Sequence, residues 1–274
     1  MPAKRTKTAS DEDAFLDQAH DDFVGWSRPE QRLREALAKN ELQLYVQPIM
    51  ALPENRFAMA EVLVRLREEE AKLLPPGEFL PTFEHYGMMP ELDRWVVSRI
   101  AQRLARHGQG AFRRYSINVA EQTLKQADMP GFLLQTLEKL KVRADALCFE
   151  IDEDDMLARL SAAARFAAAV HSLGCKVAID GFGRRATSFA PLKTLRVDYI
   201  KVDGAITRNI LRSENALNKL QTILRVGKAI SAGIIAEFVE QADVLDRLRQ
   251  LGVGYAQGFG IARPAPIEEL PKGG

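Results

Sequence analysis

Short apolar segments typical of β-strands alternate along this chain with longer segments of helical periodicity, and this alternation constrains the fold most. The predicted strands are Leu42–Met50, Phe57–Leu66, Tyr115–Val119, Leu147–Ile151, Lys176–Asp180, Tyr199–Val202, Ile234–Ala236 and Tyr255–Phe259. The predicted helices are Pro29–Lys39, Pro76–His107 with a break near Gly87, Glu121–Leu140, Asp155–Leu173, Asn215–Ala232 and Glu240–Leu251. Strands that alternate with helices indicate parallel βαβ units. About eight such strands in 274 residues favour a closed barrel over an open sheet.

The opening hairpin departs from a purely parallel arrangement, because the short turn at residues 52–55 makes one strand antiparallel. An open doubly wound sheet is the alternative, but no strand is followed by the glycine-rich loop GxGxxG that favours it. We therefore predict an α/β fold, a TIM-like (β/α)8-type barrel with one antiparallel strand. The barrel domain is predicted at residues 29–270. Residues 1–28 are predicted to be a polar leader, flexible or with a short helix from Asp13 to Val24.

Composition and charge restrict the class of protein. The chain is 46% hydrophobic and 27% charged, which is ordinary for a globular protein, and its net charge of +1 gives no strong field toward polymeric nucleic acid or acidic membrane. No apolar run has the length of a bilayer span, and the N-terminus lacks the apolar core of a secretory signal. Cys148 and Cys175 form no CxxC pair and are interpreted as core thiols. We expect a cytoplasmic protein without membrane insertion.

Polar residues recur within or just after the predicted strands. They are Glu61, Asn118, Glu150, Asp180, Lys201 and Glu237. A buried charge without a partner is costly, and active sites of (β/α) barrels lie at the carboxyl ends of the strands. A hard divalent cation with oxygen ligands would neutralise such a set. Taken singly, an acidic residue at a strand end is more often a helix cap or an ion-pair partner, and a lone lysine extends to solvent.

A series of ordered motifs resembles the EAL domain of bacterial cyclic diguanylate (c-di-GMP) signalling, from about Leu42 to Pro266. The matching segments are YVQPI at 45–49, AEVLVRL at 60–66, PPGEFLPTFEHYGMM at 75–89, SIN at 116–118, FEIDE at 149–153, AIDGFG at 178–183, VDYIKVD at 197–203, AEFVE at 236–240 and QGFGIARP at 257–264. The order and number of these matches make the resemblance far more specific than any single triplet.

The resemblance implies a phosphodiesterase barrel that opens c-di-GMP to linear pGpG with Mg²⁺ or Mn²⁺, whereas Ca²⁺ binds without supporting hydrolysis. It implies metal ligands at Glu61, Asn118, Glu150, Asp180 and Glu237, and catalytic roles for Lys201, Glu237 and Gln257. It implies nucleotide contacts from Gln47, Arg65, Asp203, Gln257, Gly258 and Pro264, and loop-stabilising roles for Glu153 and Glu240. A surface ion pair is the alternative for Arg65, and helix-end charge is the alternative for the two loop-stabilising glutamates.

Departures from the family pattern concentrate beside Asp180. The family pattern DDFGTG reads DGFGRR here, so Gly181 replaces the aspartate that serves the second metal ion, and Arg184 and Arg185 replace small residues. The EAL triplet reads EVL, which keeps the ligand Glu61, and Phe238 replaces a glycine in the AEFVE segment. The first metal site is therefore expected to be intact and the second to be weakened.

Three functions stay open: a metal-dependent c-di-GMP phosphodiesterase, a receptor that binds c-di-GMP with weak or absent hydrolysis, and a protein-binding module that no longer uses nucleotide. Gly181 and the arginine pair favour the receptor slightly over the enzyme. The retained Arg65 and first-metal ligands oppose the third reading. The expected partner is c-di-GMP; a homodimer and a protein effector are left open.

Overall fold

The computed structural model describes residues 26–69, 72–108, 110, 112–185 and 189–269. The predicted leader helix from Asp13 to Val24 lies outside the described residues. Of the described residues, those within Met1–Gln43 and Val64–Leu92 form one compact unit, and those within Leu44–Leu63 and Asp93–Gly274 form a second. None of the helices in the described ranges is both long enough and apolar enough to cross a membrane.

Strands and helices alternate along the described chain. The elements are α1 (Pro29–Ala38), β1 (Leu42–Ala51), β2 (Arg56–Glu69), β3 (Lys72–Leu74), α2 (Pro76–His85), α3 (Met89–His107), β4 (Arg114–Val119), α4 (Glu121–Leu124), α5 (Met129–Leu140), β5 (Leu147–Asp152), α6 (Glu153–Ala158), α7 (Leu160–Ser172), β6 (Lys176–Phe182), α8 (Pro191–Thr194), β7 (Tyr199–Val202), α9 (Gly204–Thr207), α10 (Glu214–Ile230), β8 (Gly233–Ala236), α11 (Ala242–Gln250), β9 (Tyr255–Ala256) and β10 (Ala265–Pro266). This order confirms the predicted α/β class.

The second unit contains a closed barrel of eight strands, in the order β1-β9-β8-β7-β6-β5-β4-β2, and pairing of β1 with β2 closes it. From β2 through β4 to β9 the neighbouring strands pair in parallel. β1 runs antiparallel to β9, as the hairpin at residues 52–55 predicts, and β10 pairs antiparallel with β1 at Tyr45 and Val46. The (β/α)8-type barrel with one antiparallel strand is therefore confirmed.

An apolar layer fills the interior of this barrel. It is formed by Ile49, Met59, Cys148, Ala178, Tyr199 and Ile235, which come from six different strands. Both cysteines are free and buried, as predicted. Because side chains two positions apart on a strand point to the same face, this layer fixes which later residues point inward.

The first unit has a smaller apolar core. Leu33 of α1, Leu66 of β2 and Phe79 and Phe83 of α2 are fully buried, and the two phenylalanine rings meet edge to face with centroids 6.1 Å apart. β3 pairs antiparallel with β2.

The predicted ends of one helix and one strand are wrong. The predicted helix at 121–140 is two helices, because Pro130 fixes its backbone and lacks an N–H, so α5 starts anew beside it. The predicted strand at 255–259 ends at Ala256, because the carbonyl of Gly258 accepts hydrogen bonds from the backbone N–H groups of Ile261 and Ala262 and closes a turn. The short strands β3 and β10 were not predicted.

Candidate functional site

The acidic residues singled out in the sequence point into the barrel, one pleat beyond the apolar layer. The inward pairs along the strands are Met59 and Glu61, Cys148 and Glu150, Ala178 and Asp180, and Tyr199 and Lys201; Ile235 and Glu237 continue the same spacing at the end of β8. The strands run parallel, so these side chains gather at one end of the barrel, the end where their carboxyl termini lie. In each pair the apolar residue therefore packs in the core, and the polar residue two positions later contributes to the site.

The ammonium group of Lys201 lies at the centre of the site and is completely buried. Its Nζ atom contacts four carboxylates: Glu150 Oε2 at 2.6 Å, Glu61 Oε2 at 3.0 Å, Asp180 Oδ1 at 3.0 Å and Glu237 Oε1 at 3.2 Å. Four carboxylates thus share one ammonium, which leaves three negative charges uncompensated when all of them are ionised. The alternative interpretation of Lys201, as a lysine that extends to solvent, is therefore wrong.

Amide side chains surround the same cluster. Asn118 donates from Nδ2 to Glu61 Oε1 at 3.0 Å, and the N-cap of α4 is Ala120, so the helix-cap alternative for Asn118 is wrong. Gln257 donates from Nε2 to Glu61 Oε2 at 2.8 Å and to Gln47 Oε1 at 3.1 Å, and Gln47 donates to the carbonyl of Ala262 at 3.1 Å. Glu61 is therefore held at both oxygens by neighbouring donors.

The charge imbalance shifts the pKa values of the cluster. Burial raises the pKa of Glu150 to about 8, and repulsion from Glu61 and Asp180 adds to the effect. Burial likewise raises the pKa of Glu237 well above its ordinary value. Burial opposes ionisation of Asp180 too, but attraction to Lys201 outweighs it and lowers the pKa of Asp180. The cluster therefore holds protons near neutral pH unless a further cation joins it.

The donors fit one hard divalent cation. Carboxylate and amide oxygens are the ligands that such an ion prefers, and the buried atoms Glu150 Oε1 and Gln257 Oε1 have no hydrogen-bond partner among the described residues. In the same ranges no three acidic, histidine or cysteine side chains stand at metal-ligand spacing, since the carboxylates converge on the Lys201 ammonium instead. The first ion would be held by Asn118 and by Glu61, Glu150 and Asp180 after these three carboxylates turn from that ammonium.

The residues do not fit a second ion. Gly181 follows Asp180 with a left-handed φ of +62°, and a Cβ atom built on it would collide with the guanidinium of Arg184. Arg184 pairs with three aspartates: Asp203 at 3.2 Å, Asp152 at 3.3 Å and Asp154 at 3.6 Å. A positively charged side chain therefore occupies the space beside Asp180.

Glu153 organises the loop that follows Asp180. Its buried carboxylate accepts hydrogen bonds from the backbone N–H groups of Gly183 and Arg185, both at 3.0 Å. One carboxylate thus joins two backbone N–H groups of this loop, and the loop-stabilising role stays a prediction. Glu240 is exposed, and among the described residues no hydrogen bond joins its carboxylate to this loop.

The remaining predicted ligand residues lie on different elements. Asp203 caps α9 by accepting from Ala205 N at 2.8 Å. Gly258 lies against the backbone of Val239 so closely that a Cβ atom has no room. Pro264 is half-buried just before β10. Arg65 lies in the first unit, where Nη1 donates to the carbonyl of Val64 at 2.8 Å.

Phe238 follows Glu237 in a conformation unusual for an aromatic residue. Its φ is +54°, in the left-handed region that disfavours bulky side chains. The ring is 53% exposed, lies under the guanidinium of Arg208 at 4.9 Å and covers Gly204, where a side chain would clash with it. The phenylalanine at position 238 thus places an aromatic surface against Gly204 and Arg208, one residue after Glu237.

Sequence reasoning missed two members of this region, Asp152 and Asp154. The acidic run at 152–155 was visible, but only Glu153 was singled out from it. The pairing of this run with Arg184 depends on contacts more than 25 positions apart, as in the 32-residue separation between Asp152 and Arg184.

Fold and site together define a (β/α) barrel that gathers acidic groups around a lysine at the carboxyl ends of its strands. The chain belongs to the EAL domain family, whose profile matches residues 30–264. Similar curated proteins include the cyclic di-GMP phosphodiesterases PdeF of Escherichia coli (30% identical, 86% of this chain and 32% of the relative) and PdeB of Shewanella oneidensis (30% identical, 86% and 28%). The chain thus spans about a third of the length of these relatives.

Solved structures of the family resemble the barrel closely. The FimX EAL domain of Pseudomonas aeruginosa bound to c-di-GMP matches with a TM-score of 0.80 and 28% identity, covering 86% of this chain and 96% of that one. The FimX EAL domain of Xanthomonas citri in complex with c-di-GMP matches with a TM-score of 0.83 and 25% identity, covering 93% and 100%.

Proposed function

We propose that this chain binds c-di-GMP at the carboxyl end of its barrel and hydrolyses it slowly or not at all. Binding is supported by membership of the EAL family and by the two similar FimX domains, both of which hold c-di-GMP. The single observation that carries the impaired turnover is Gly181, which supplies no carboxylate beside Asp180.

The chemistry of the retained groups fits a phosphodiester ligand. When bound, a single Mg²⁺ or Mn²⁺ supplies positive charge toward a phosphoryl oxygen. Lys201 keeps a permanent positive charge beside that position, because its four carboxylate neighbours raise its pKa further even though burial opposes this. The Gln257 amide is fixed by its hydrogen bond to Glu61. In-line displacement at phosphorus is fastest when two ions stabilise the attacking and leaving oxygens, and only one set of ligands is complete here.

An active phosphodiesterase is the second candidate. The complete set of Glu61, Glu150, Asp180, Lys201 and Glu237 favours it, since a receptor has no chemical need for four carboxylates around one ammonium. Mg²⁺ sites in phosphate chemistry keep many waters and few carboxylates, so the loss of one carboxylate slows turnover without abolishing it.

The test combines binding and product analysis. Calorimetry with c-di-GMP, in EDTA and then with Mn²⁺ or Mg²⁺, measures binding, and single-turnover assays at saturating enzyme follow pGpG formation. We expect binding with slow or undetectable cleavage, and faster cleavage with Gly181→Asp. Aspartate tolerates the left-handed backbone at this position, and the Arg184 guanidinium must give up its present position to admit the new side chain.

Gly181→Asn is the matched control, because it has the same size and tolerates the same backbone without adding a charge. Equal cleavage by the two variants would show that the missing carboxylate is not the cause of slow turnover. Fast cleavage by the wild type at low Mg²⁺ would instead make this chain an ordinary phosphodiesterase.

A further inference from the structure

Arg184 is held by more carboxylates than its neighbour Arg185. Its Nε donates to Asp203 at 3.2 Å and its Nη1 to Asp152 at 3.3 Å. Among the described residues Arg185 has one ion pair, from Nε to Asp154 at 2.6 Å, and its side chain is 64% exposed. Two of the carboxylates that hold Arg184 are themselves fixed as helix caps, at the starts of α6 and α9. The Arg184 guanidinium is therefore a positioned charge.

The Arg184 guanidinium lies directly beside Gly181. The atoms nearest to a Cβ built on Gly181 belong to the Arg184 guanidinium, with Cζ at 3.0 Å. The guanidinium thus lies where the side chain of the residue after Asp180 would reach. In the family pattern that side chain is the carboxylate that holds the second metal ion.

One edge of the guanidinium is left for a ligand. Nε and Nη1 face the three aspartates, whereas Nη2 lies toward Gly181 and donates to no acceptor within the described ranges. Guanidinium N–H groups bind phosphate oxygens with charge-assisted hydrogen bonds in a defined planar geometry. A phosphate that enters above Gly181 would meet this edge.

We propose that the Arg184 guanidinium takes the place of the second metal ion, so that Nη2 binds a phosphate oxygen of c-di-GMP and the site holds at most one divalent cation. This inference rests on the proposed function for its ligand. It explains why the two departures from the family pattern occur together. Gly181 leaves space for the guanidinium, and Arg184 supplies the positive charge. A guanidinium recognises a phosphate but does not activate water as a metal ion does, so binding is kept and turnover is lost.

The first experiment counts metal ions without nucleotide. Mn²⁺ binding to the full chain is measured by calorimetry and electron paramagnetic resonance. We expect one Mn²⁺ per chain for the wild type, and two for the double variant Gly181→Asp with Arg184→Ala. Two ions on the wild type, or only one on a folded double variant, would overturn the replacement. Thermal unfolding of each variant establishes that it is folded.

The second experiment measures c-di-GMP binding in EDTA, where no metal ion competes with the Arg184 guanidinium for the phosphate. Arg184→Ala is expected to weaken binding about tenfold or more, the loss of one charge-assisted hydrogen bond. Arg185→Ala is the matched control with an expected change below about twofold, because only its backbone N–H is needed by Glu153.

The outcomes separate this inference from the proposed function. A wild type that binds no c-di-GMP overturns the proposed function and the Arg184 contact together. A wild type that binds c-di-GMP equally well with or without the Arg184 guanidinium overturns the contact alone. Adding Mn²⁺ should tighten binding by the double variant about tenfold more than binding by the wild type, and an equal effect on both would contradict the replacement.

Discussion

Nζ of Lys201 lies 2.6 Å from Oε2 of Glu150 inside the barrel, and both side chains are completely buried. Three further carboxylates converge on the same ammonium. A buried ion pair is a weak source of net stability, but removing one partner is costly because the other charge is left uncompensated. Lys201 therefore serves the fold as well as the site.

Replacement of Lys201 by methionine should destabilise the metal-free protein by roughly 3–5 kcal/mol at pH 7. The measurement is denaturant unfolding in EDTA. Lys176→Met is the control, since Lys176 pairs with the partly exposed Asp198 at 2.8 Å and that carboxylate keeps a partner in His171. A loss as small as that of the control would mean that the carboxylates take up further protons when the ammonium is removed, and that Lys201 is not needed for stability.

Divalent cations should raise the melting temperature through the carboxylate cluster. A ligand at a hundredfold excess over its Kd stabilises the folded state by about 2.7 kcal/mol. We expect Mg²⁺, Mn²⁺ or Ca²⁺ to stabilise the wild type and Glu61→Ala to lose most of that gain. Glu121→Ala, at a partly exposed carboxylate of α4 that pairs with Lys125 and Arg159, should keep it. An unchanged rise in Glu61→Ala would remove Glu61 from the ligand set.

Asp93 should make stability depend on pH. Its buried carboxylate accepts hydrogen bonds from the backbone N–H of Ala120, at 3.1 Å, and from the hydroxyl group of Thr123. Burial raises the pKa of Asp93 to about 6 from an ordinary 3.8. Its contribution is thus fully present below pH 3.8 and is lost as the pH rises to 6.

Two pKa units correspond to about 3 kcal/mol. Relative to Asp93→Asn, the wild type should therefore lose about 3 kcal/mol of unfolding free energy between about pH 4 and pH 7. Asp246→Asn, at an exposed carboxylate, should run parallel to the wild type. Parallel curves for wild type and Asp93→Asn would show that Asp93 titrates normally.

Glu153→Gln should loosen the loop after Asp180. The glutamine side chain has one acceptor oxygen for two backbone donors, so one of the N–H groups of Gly183 and Arg185 loses its partner at a cost of roughly 1–3 kcal/mol. Hydrogen exchange should become faster at both amides and stay slow in the β4–β5 pairing. The exposed Glu240→Gln is the matched change, and equal loosening in both variants would deny Glu153 this role.

The strand pattern predicted most of the architecture, because the apolar residues of a barrel strand reflect its burial. β7 at Tyr199–Val202 lies where the sequence predicts it, and β6 runs two residues further, through Phe182. Strands of two or three residues carry no such pattern, which is why β3 and β10 were missed. The inward direction of Glu150 and Lys201 follows from spacing alone, since each stands two positions after a residue of the apolar layer.

The sequence by itself determined the parallel barrel, the family, and the set of acidic residues that gather around Lys201, because these depend on short-range periodicity and ordered motifs. It also exposed the missing carboxylate at Gly181. Only the tertiary structure decided what fills that space. The Arg184 guanidinium reaches Gly181 because Asp152, Asp154 and Asp203, from two separate strand ends, converge on it. Convergence of charges that are distant in sequence is a property of the closed barrel, and no local pattern of residues encodes it.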